Sequence, residues 1–199
     1  MLVRDRMSTK VITAALDLSI AEARAIMDKH RIRHLPVVRQ RQLLGIVTDR
    51  DLRSAPPGAQ TVADLMTPKP VVVAPSDPVD EAAQVLRAHK FGALPVVEGK
   101  HLVGMLTADD VLDAFVDLSG VREPTYHLTI VGVENAAAER HIRQIIMQER
   151  AQLKWLHRDS RRHPAQADLR LKVQRIADVV TQLEAAGFEV SAVVSSTHK

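Results

Sequence analysis

The sequence predicts an α+β fold in three parts: two successive β-α-β-β-α units, then a β-α-β-β-α-β domain. Three observations predict it. A long stretch repeats at constant spacing, its apolar residues switch between strand and helix periods, and beyond the repeat a different alternation of strands and helices begins.

The repeat is anchored on Arg33-His34-Leu35-Pro36-Val37-Val38, followed by Gly45-Ile46-Val47-Thr48-Asp49-Arg50-Asp51-Leu52. Its second copy is Gly92-Ala93-Leu94-Pro95-Val96-Val97, followed by Gly104-Met105-Leu106-Thr107-Ala108-Asp109-Asp110-Val111, each residue 59 positions after its counterpart. Upstream, Val3-x-Asp5-x-Met7 matches Val62-x-Asp64-x-Met66, Glu22-Ala23 matches Glu81-Ala82, and His30 matches His89. No gap interrupts the register from residue 3 to residue 111, so one structural unit has been duplicated.

In the first copy, Met1–Thr9 reads as a lead-in strand or turn and Val11–Ala14 as a short strand. Ser19 is a fitting N-cap for a helix whose inner face carries Ile20, Ala23, Ile26 and Met27, ending near His30-Arg31. Leu35–Val38 and Leu43–Val47 form a hairpin around a polar turn, and Asp49 opens a short second helix. Ala55-Pro56-Pro57-Gly58-Ala59 is the breaker-rich link. In the second copy Val71–Val73 is the strand, and Val79, Ala82, Ala83, Val85 and Leu86 face the helix core after Pro78. Leu94–Val97 and Leu102–Leu106 pair around Glu98-Gly99-Lys100, and a helix over 109–118 closes the unit. A unit of about 50 residues holds too little core to stand alone, which explains the pairing. The expected domains are residues 1–58, 59–119 and 120–199.

The third part reads as strand Tyr126–Val131, a helix capped by Asn135 through Ile142, Ile145 and Ile146, and strand Gln152–His157. Strand Ala167–Val173, a helix on Ile176, Val179, Val180 and Leu183 that ends at Gly187, and strand Phe188–Val194 complete it.

Composition narrows the function classes. The start is charged with no apolar run behind it, and no stretch approaches the roughly 20 apolar residues of a membrane helix, so a cytoplasmic protein without membrane insertion is expected. Absence of cysteine removes disulfides and thiolate metal sites. The net charge is +3. Residues 1–120 balance 15 basic against 15 acidic side chains, and the remainder carries 12 against 9, too weak a bias for nucleic acid. The nine histidines are scattered and have no cysteine partners, so no metal site is expected. No Gly-x-Ser-x-Gly elbow, phosphate loop or dinucleotide glycine run occurs, so no enzymatic activity and no catalytic cofactor are expected.

The paired Leu-Pro-Val-Val and Gly-x-x-Thr-x-x-Asp segments, with their Val-x-Asp-x-Met leaders, resemble a tandem pair of CBS domains, the Bateman module, over about residues 1–118. The last part resembles the ferredoxin-like, ACT-like regulatory domains, including those at the C-terminus of MgtC-type proteins. Its loop Gly132–Ala138 lacks the Pro-Gly pair of amino-acid-binding ACT domains, which points to packing or dimerisation instead.

From the residues alone, a hydroxyl and a carboxylate three apart after a strand, as in Thr48/Asp51 and Thr107/Asp110, suit either helix capping or contact with ribose and phosphate. The CBS resemblance implies the second use, with the aspartate on the ribose. It also implies an adenine slot lined by Pro36 or Pro95 and by Thr13 or Val72, and a phosphate contact from Arg33. Gly92 stands where Arg33 stands and Asp109 where Arg50 stands, so the first site is expected to be better equipped for phosphorylated ligands. The expected ligand is AMP, ADP, ATP or S-adenosylmethionine, sensed by a regulatory protein that dimerises through its CBS pairs, with added contacts from the last domain, and acts on an enzyme or transporter. The rival expectation is a structural adaptor with degenerate slots. A nucleic-acid surface through Arg158, Arg161, Arg162, Lys172 and Arg175 ranks last.

Overall fold

The computed structural model describes residues 1–119 and 123–196. Two compact units divide the chain, Met1–Ala114 and Phe115–Lys199.

The first unit contains α1 (Ile20–His30), β1 (His34–Arg39), β2 (Gln42–Thr48), α2 (Asp49–Arg53), β3 (Thr67–Pro68), α3 (Val79–His89), β4 (Ala93–Glu98) and β5 (His101–Thr107). Helix α4 (Ala108–Ser119) begins in it. Ser19 and Glu22 form a reciprocal capping box at the start of α1: the Glu22 N–H donates to Ser19 Oγ, and the Ser19 N–H to the Glu22 carboxylate. Both long helices end on a left-handed residue at the same repeat position, Arg31 and Lys90. The hairpins β1–β2 and β4–β5 turn on two residues each, Gln40-Arg41 and Gly99-Lys100, and share a register shift at Val37/Val38 and Val96/Val97. They join through Gln42 and His101 in the sheet order β1-β2-β5-β4, with β3 on β2.

The expected strands at Val11–Ala14 and Val71–Val73 shrink to single parallel bridges, Ala14 to Val37 and Val73 to Val96. Of the two readings of the lead-in, strand or turn, the structure has the turn. Val3–Asp5 and Val62–Asp64 each form one 3-10 turn closed by the aspartate: Asp5 accepts from the Leu2 N–H, Asp64 from the Thr61 N–H.

The leaders are also exchanged. Val62 belongs to the core of the first copy, with Ala23, Met27, Leu35 and Val47; Val3 belongs to that of the second, with Val73, Leu86, Leu94 and Leu106. The Val3 N–H donates to the Asp77 carbonyl at 2.9 Å, and the Val62 N–H to the Leu18 carbonyl at 2.9 Å. Each leader then crosses the glycine of the other copy's hairpin. Ser8 exchanges two backbone hydrogen bonds with Met105, while Thr67 and Pro68 pair with Ile46 and Gly45. A Cβ on Gly45 would lie 2.6 Å from Met66 Sδ and 2.9 Å from the Thr67 carbonyl oxygen; on Gly104 it would lie 2.6 Å from Met7 Sδ. Glycine is required at both places for this approach.

The second unit contains β6 (Thr125–Val131), α5 (Ala136–Gln148), β7 (Gln152–Asp159), β8 (Gln166–Lys172), α6 (Ile176–Ala185) and β9 (Glu189–Ser196). Its antiparallel sheet has the order β7-β8-β6-β9. Asn135 caps α5 by accepting from the Ala137 and Ala138 N–H groups at 2.9 and 3.0 Å. Leu128, Ile130, Leu169 and Leu171 pack with Ile142, Ile146, Val179 and Leu183, so both helices cover one sheet face. Loop residues Gly132 and Val133 both donate to the Ala165 carbonyl, and the Ala165 N–H donates to Glu134, which fastens this loop to the β7–β8 connection.

The basic residues considered for nucleic acid are largely occupied. Arg161 and Arg162 pair with Asp159, Lys172 with Glu123, and Arg175 with Asp178, while Arg158 donates to the Glu134 carbonyl. Hydrogen bonds from Arg161 lower the Asp159 carboxyl to about 2. No helix among the described residues is long and apolar enough to cross a membrane.

The leader contact yields a double-mutant test. Gly104→Ala is expected to destabilise the first unit by about 1–3 kcal/mol through overpacking against Met7. In a Met7→Ala background the same change costs less than it does in the parent protein. Urea denaturation of the four proteins measures the coupling, and strict additivity would refute the contact.

Candidate functional site

The leader exchange creates two clefts in the first unit. Cleft A, about 480 Å³, has Thr48, Asp49, Arg50 and Asp51 from the first copy on one side. Thr67, Lys69, Pro70, Val71 and the run Lys90–Ala93 from the second copy stand on the other. Cleft B, about 280 Å³, is its repeat-related counterpart: Thr107, Ala108 and Asp109 face Ser8, Lys10, Val11, Ile12 and the run Arg31–His34. Each cleft therefore needs both copies.

At the start of α2 the Thr48 N–H and hydroxyl both donate to Asp51 Oδ2, at 2.8 and 2.7 Å, and the Asp51 N–H donates back to Thr48 Oγ1 at 3.3 Å. At α4, Thr107 and Asp110 repeat this at 2.7, 2.7 and 3.1 Å. Capping and ligand contact are thus compatible, because the box uses only Oδ2. Asp51 Oδ1 keeps its acceptor capacity, and Asp51 lines cleft A.

Cleft A also carries four cations, Arg33, Arg50, Lys69 and Lys90. Among the described residues none of them has an ion-pair partner, whereas Asp49 is paired with Arg53 at 2.9 Å. Pro70, Val71, Phe91 and Pro95 supply an apolar wall, with Val71 40% and Phe91 42% exposed. Phe91 is stacked on His89 at 5.1 Å between ring centroids. Unpaired cations, a carboxylate with a spare oxygen and an apolar wall suit an organic anion bearing hydroxyls and a flat apolar group.

Thr48, Asp51, Arg33, Arg50 and Pro95 meet in cleft A, and Thr107 lies in cleft B. Asp110 is engaged in the Thr107 box, and Asp109 is the acidic residue of that helix start lining cleft B. Asp110, Thr13, Pro36 and Val72 line neither cleft. Thr13 lines a separate hollow of about 210 Å³ with Val38 and Leu102. Pro36 is buried in β1, where its carbonyl accepts from the Ala14 N–H, and lines neither cleft. Val71, and not Val72, lines cleft A, in a stretch outside any paired strand. Arg33 does not serve the first site alone either, since it lines both clefts.

Sequence reasoning missed His34, Lys69, Val71, Lys90 and Phe91. The repeat register held a signal for them: Lys69 matches Lys10, Lys90 matches Arg31, and Phe91 matches Ile32, all flanking the recognised motifs. Among the described residues no group of three or more histidine or acidic side chains could hold a metal ion.

His34 lines both clefts, and burial holds its imidazole below the usual 6.5, assisted by Arg33 and opposed by Asp49 and Asp51. The unfolded chain therefore takes up this proton first. The stability that His34 contributes is full above pH 6.5 and is lost as pH falls through the lowered folded value. Urea midpoints measured from about pH 7.5 down to about pH 5 are expected to fall, with a shallower decline in His34→Gln; parallel profiles would refute it.

The CBS domain family matches residues 3–58 and 62–117. Inosine-5'-monophosphate dehydrogenase of Korarchaeum cryptofilum is 43% identical over 102 residues, covering 51% of this chain and 21% of the dehydrogenase. The chain thus spans about a fifth of the dehydrogenases it matches. The CBS domain pair of protein MJ0100, solved with 5'-methylthioadenosine and S-adenosyl-L-methionine, aligns with TM-score 0.56 and 33% identity over 59% of this chain and 97% of that one. The Arabidopsis thaliana protein CBSX2, solved in complex with AMP, aligns with TM-score 0.56 and 30% identity over 59% and 97%. With a duplicated match, exchanged leaders and paired Thr-x-x-Asp boxes, the chain belongs to the CBS domain family.

Proposed function

We propose that the CBS pair is a non-catalytic sensor of adenosyl ligands, with AMP, ADP, ATP or S-adenosylmethionine bound in clefts A and B. The observation that carries this reading is the Thr48–Asp51 box, which fixes a carboxylate with one oxygen spare in a cleft holding four unpaired cations. The carboxylate accepts from the ribose hydroxyls, Arg33, Arg50 and the two lysines receive phosphate, and Val71, Phe91 and Pro95 cover the base. The AMP and S-adenosyl-L-methionine complexes of CBS relatives support the ligand class. Because both copies line each cleft, a bound ligand bridges them and favours one mutual arrangement, and that shift is the regulatory output toward an enzyme or transporter.

We read the second unit as a ferredoxin-like, ACT-like domain, in keeping with its β-α-β-β-α-β order and its sheet. We assign it to self-association as a homodimer. Strand β9 is a sheet edge whose Val193 and Val194 are 43% and 58% exposed. Light scattering is expected to give a dimer, shifted to monomer in Val194→Lys; a monomeric parent protein would refute the assignment.

Calorimetric titration with AMP, ATP and S-adenosylmethionine tests the sensor. Micromolar binding of at least one is expected, and Asp51→Asn, which keeps an acceptor for the Thr48 box, is expected to weaken cleft A about tenfold. Absence of heat and of any thermal shift with all three would overturn the reading in favour of an adaptor.

A further inference from the structure

Clefts A and B share a wall made by Arg33, His34, Gly92 and Ala93. The repeat register pairs Arg33 with Gly92 and His34 with Ala93, so the two-fold likeness of the copies fails at this wall. A symmetric pair would offer one guanidinium to each cleft. Here a single guanidinium stands between them, exposed and without an ion-pair partner among the described residues. The His34 ring occupies the complementary space: a Cβ on Gly92 would lie 2.8 Å from His34 Cε1. No side chain fits at position 92 unless that ring moves.

We propose that the two clefts are negatively coupled toward ligands carrying a phosphate group, because both draw on Arg33. This rests on the reading of the clefts as nucleotide sites. A guanidinium engages one phosphate through its planar fork, and that orientation removes it from the other cleft. Cleft A retains Arg50, Lys69 and Lys90 besides Arg33, whereas cleft B retains Lys10 and Arg31 and carries Asp109 at the place of Arg50. Cleft A therefore fills first, and cleft B binds its phosphate without Arg33. Linkage makes the effect reciprocal. Adenosine, which has no phosphate, does not call on Arg33 and fills the clefts independently.

The test is calorimetric titration of the full chain with AMP and with adenosine. Closing cleft A by combining Asp51→Asn with Val71→Glu on the opposite wall is expected to tighten AMP binding at cleft B about tenfold relative to the second site of the parent protein. Adenosine affinity at cleft B stays unchanged, and in an Arg33→Gln background closing cleft A no longer tightens AMP binding. An AMP affinity at cleft B that is the same with cleft A open or closed overturns the coupling alone. A chain that binds neither AMP nor adenosine overturns the nucleotide reading and the coupling with it.

Discussion

The contact on which the first unit depends is the passage of each leader over a glycine in the other copy's hairpin. Met66 and the Thr67 carbonyl lie against Gly45, and Met7 and the Ser8 carbonyl against Gly104, so that a Cβ at either glycine would have to displace them. The approach permits the backbone pairing of Ser8 with Met105 and of Pro68 with Gly45. It also delivers Val3 and Val62 into cores that would otherwise be short of a buried residue. Neither half is complete without the other, which is how a unit of about 50 residues escapes the marginal stability of a small core. The clefts follow from the same passage, because the chain leaving each leader runs on beside the opposite copy's Thr-x-x-Asp box.

Equal backbones then carry unequal chemistry. The left-handed helix ends at Arg31 and Lys90, the register shifts in both hairpins and the two Thr-x-x-Asp boxes are the same device used twice. The differences lie in side chains that no backbone requirement fixes: Phe91 against Ile32, Arg50 against Asp109, Arg33 against Gly92. Helix length differs as well, α2 spanning five residues and α4 twelve, because Pro56 and Pro57 follow the first and no proline follows the second until Pro124. Duplication supplied the frame, and divergence at a few surface positions makes the two clefts distinct.

Much of this was legible in the sequence. Periodicity placed the helices and hairpins, Ser19 and Asn135 marked helix starts, and the register revealed the duplication. The exchange was not legible, because a constant offset shows which residues are equivalent and not which copy each one touches. The register is the same whether Val3 packs in its own copy or in the other. That gap bears on where the expected site residues lie. Thr13 and Pro36 belong to the same copy as Thr48 and Asp51, whereas the wall facing Asp51 comes from residues 67, 69–71 and 90–93 of the other copy. For Val71 and Val72, without a paired strand, alternation does not say which valine faces the cleft.

The second unit shows the opposite balance of polar and apolar design. Its helix-covered face is apolar, while on strands β6 and β8 the intervening positions hold His127, Thr129, Asp168 and Arg170. Thr129 donates to Asp168 at 2.7 Å, and His127 lies 3.4 Å from the same oxygen and edge-on to Trp155. Arg170 is only 8% exposed, held by Thr125 and Ser196 at 3.3 and 3.1 Å. A buried guanidinium is costly to leave unmet; the two Nη1 bonds offset part of that cost and tie β6 and β9 to β8 through one side chain, while the buried Nε has no hydrogen-bond partner. A one-residue slip of β9 would move Ser196 out of reach and carry its neighbours to the wrong face. The charge on the open face thereby specifies strand register in a sheet whose edge, β9, is otherwise mostly exposed.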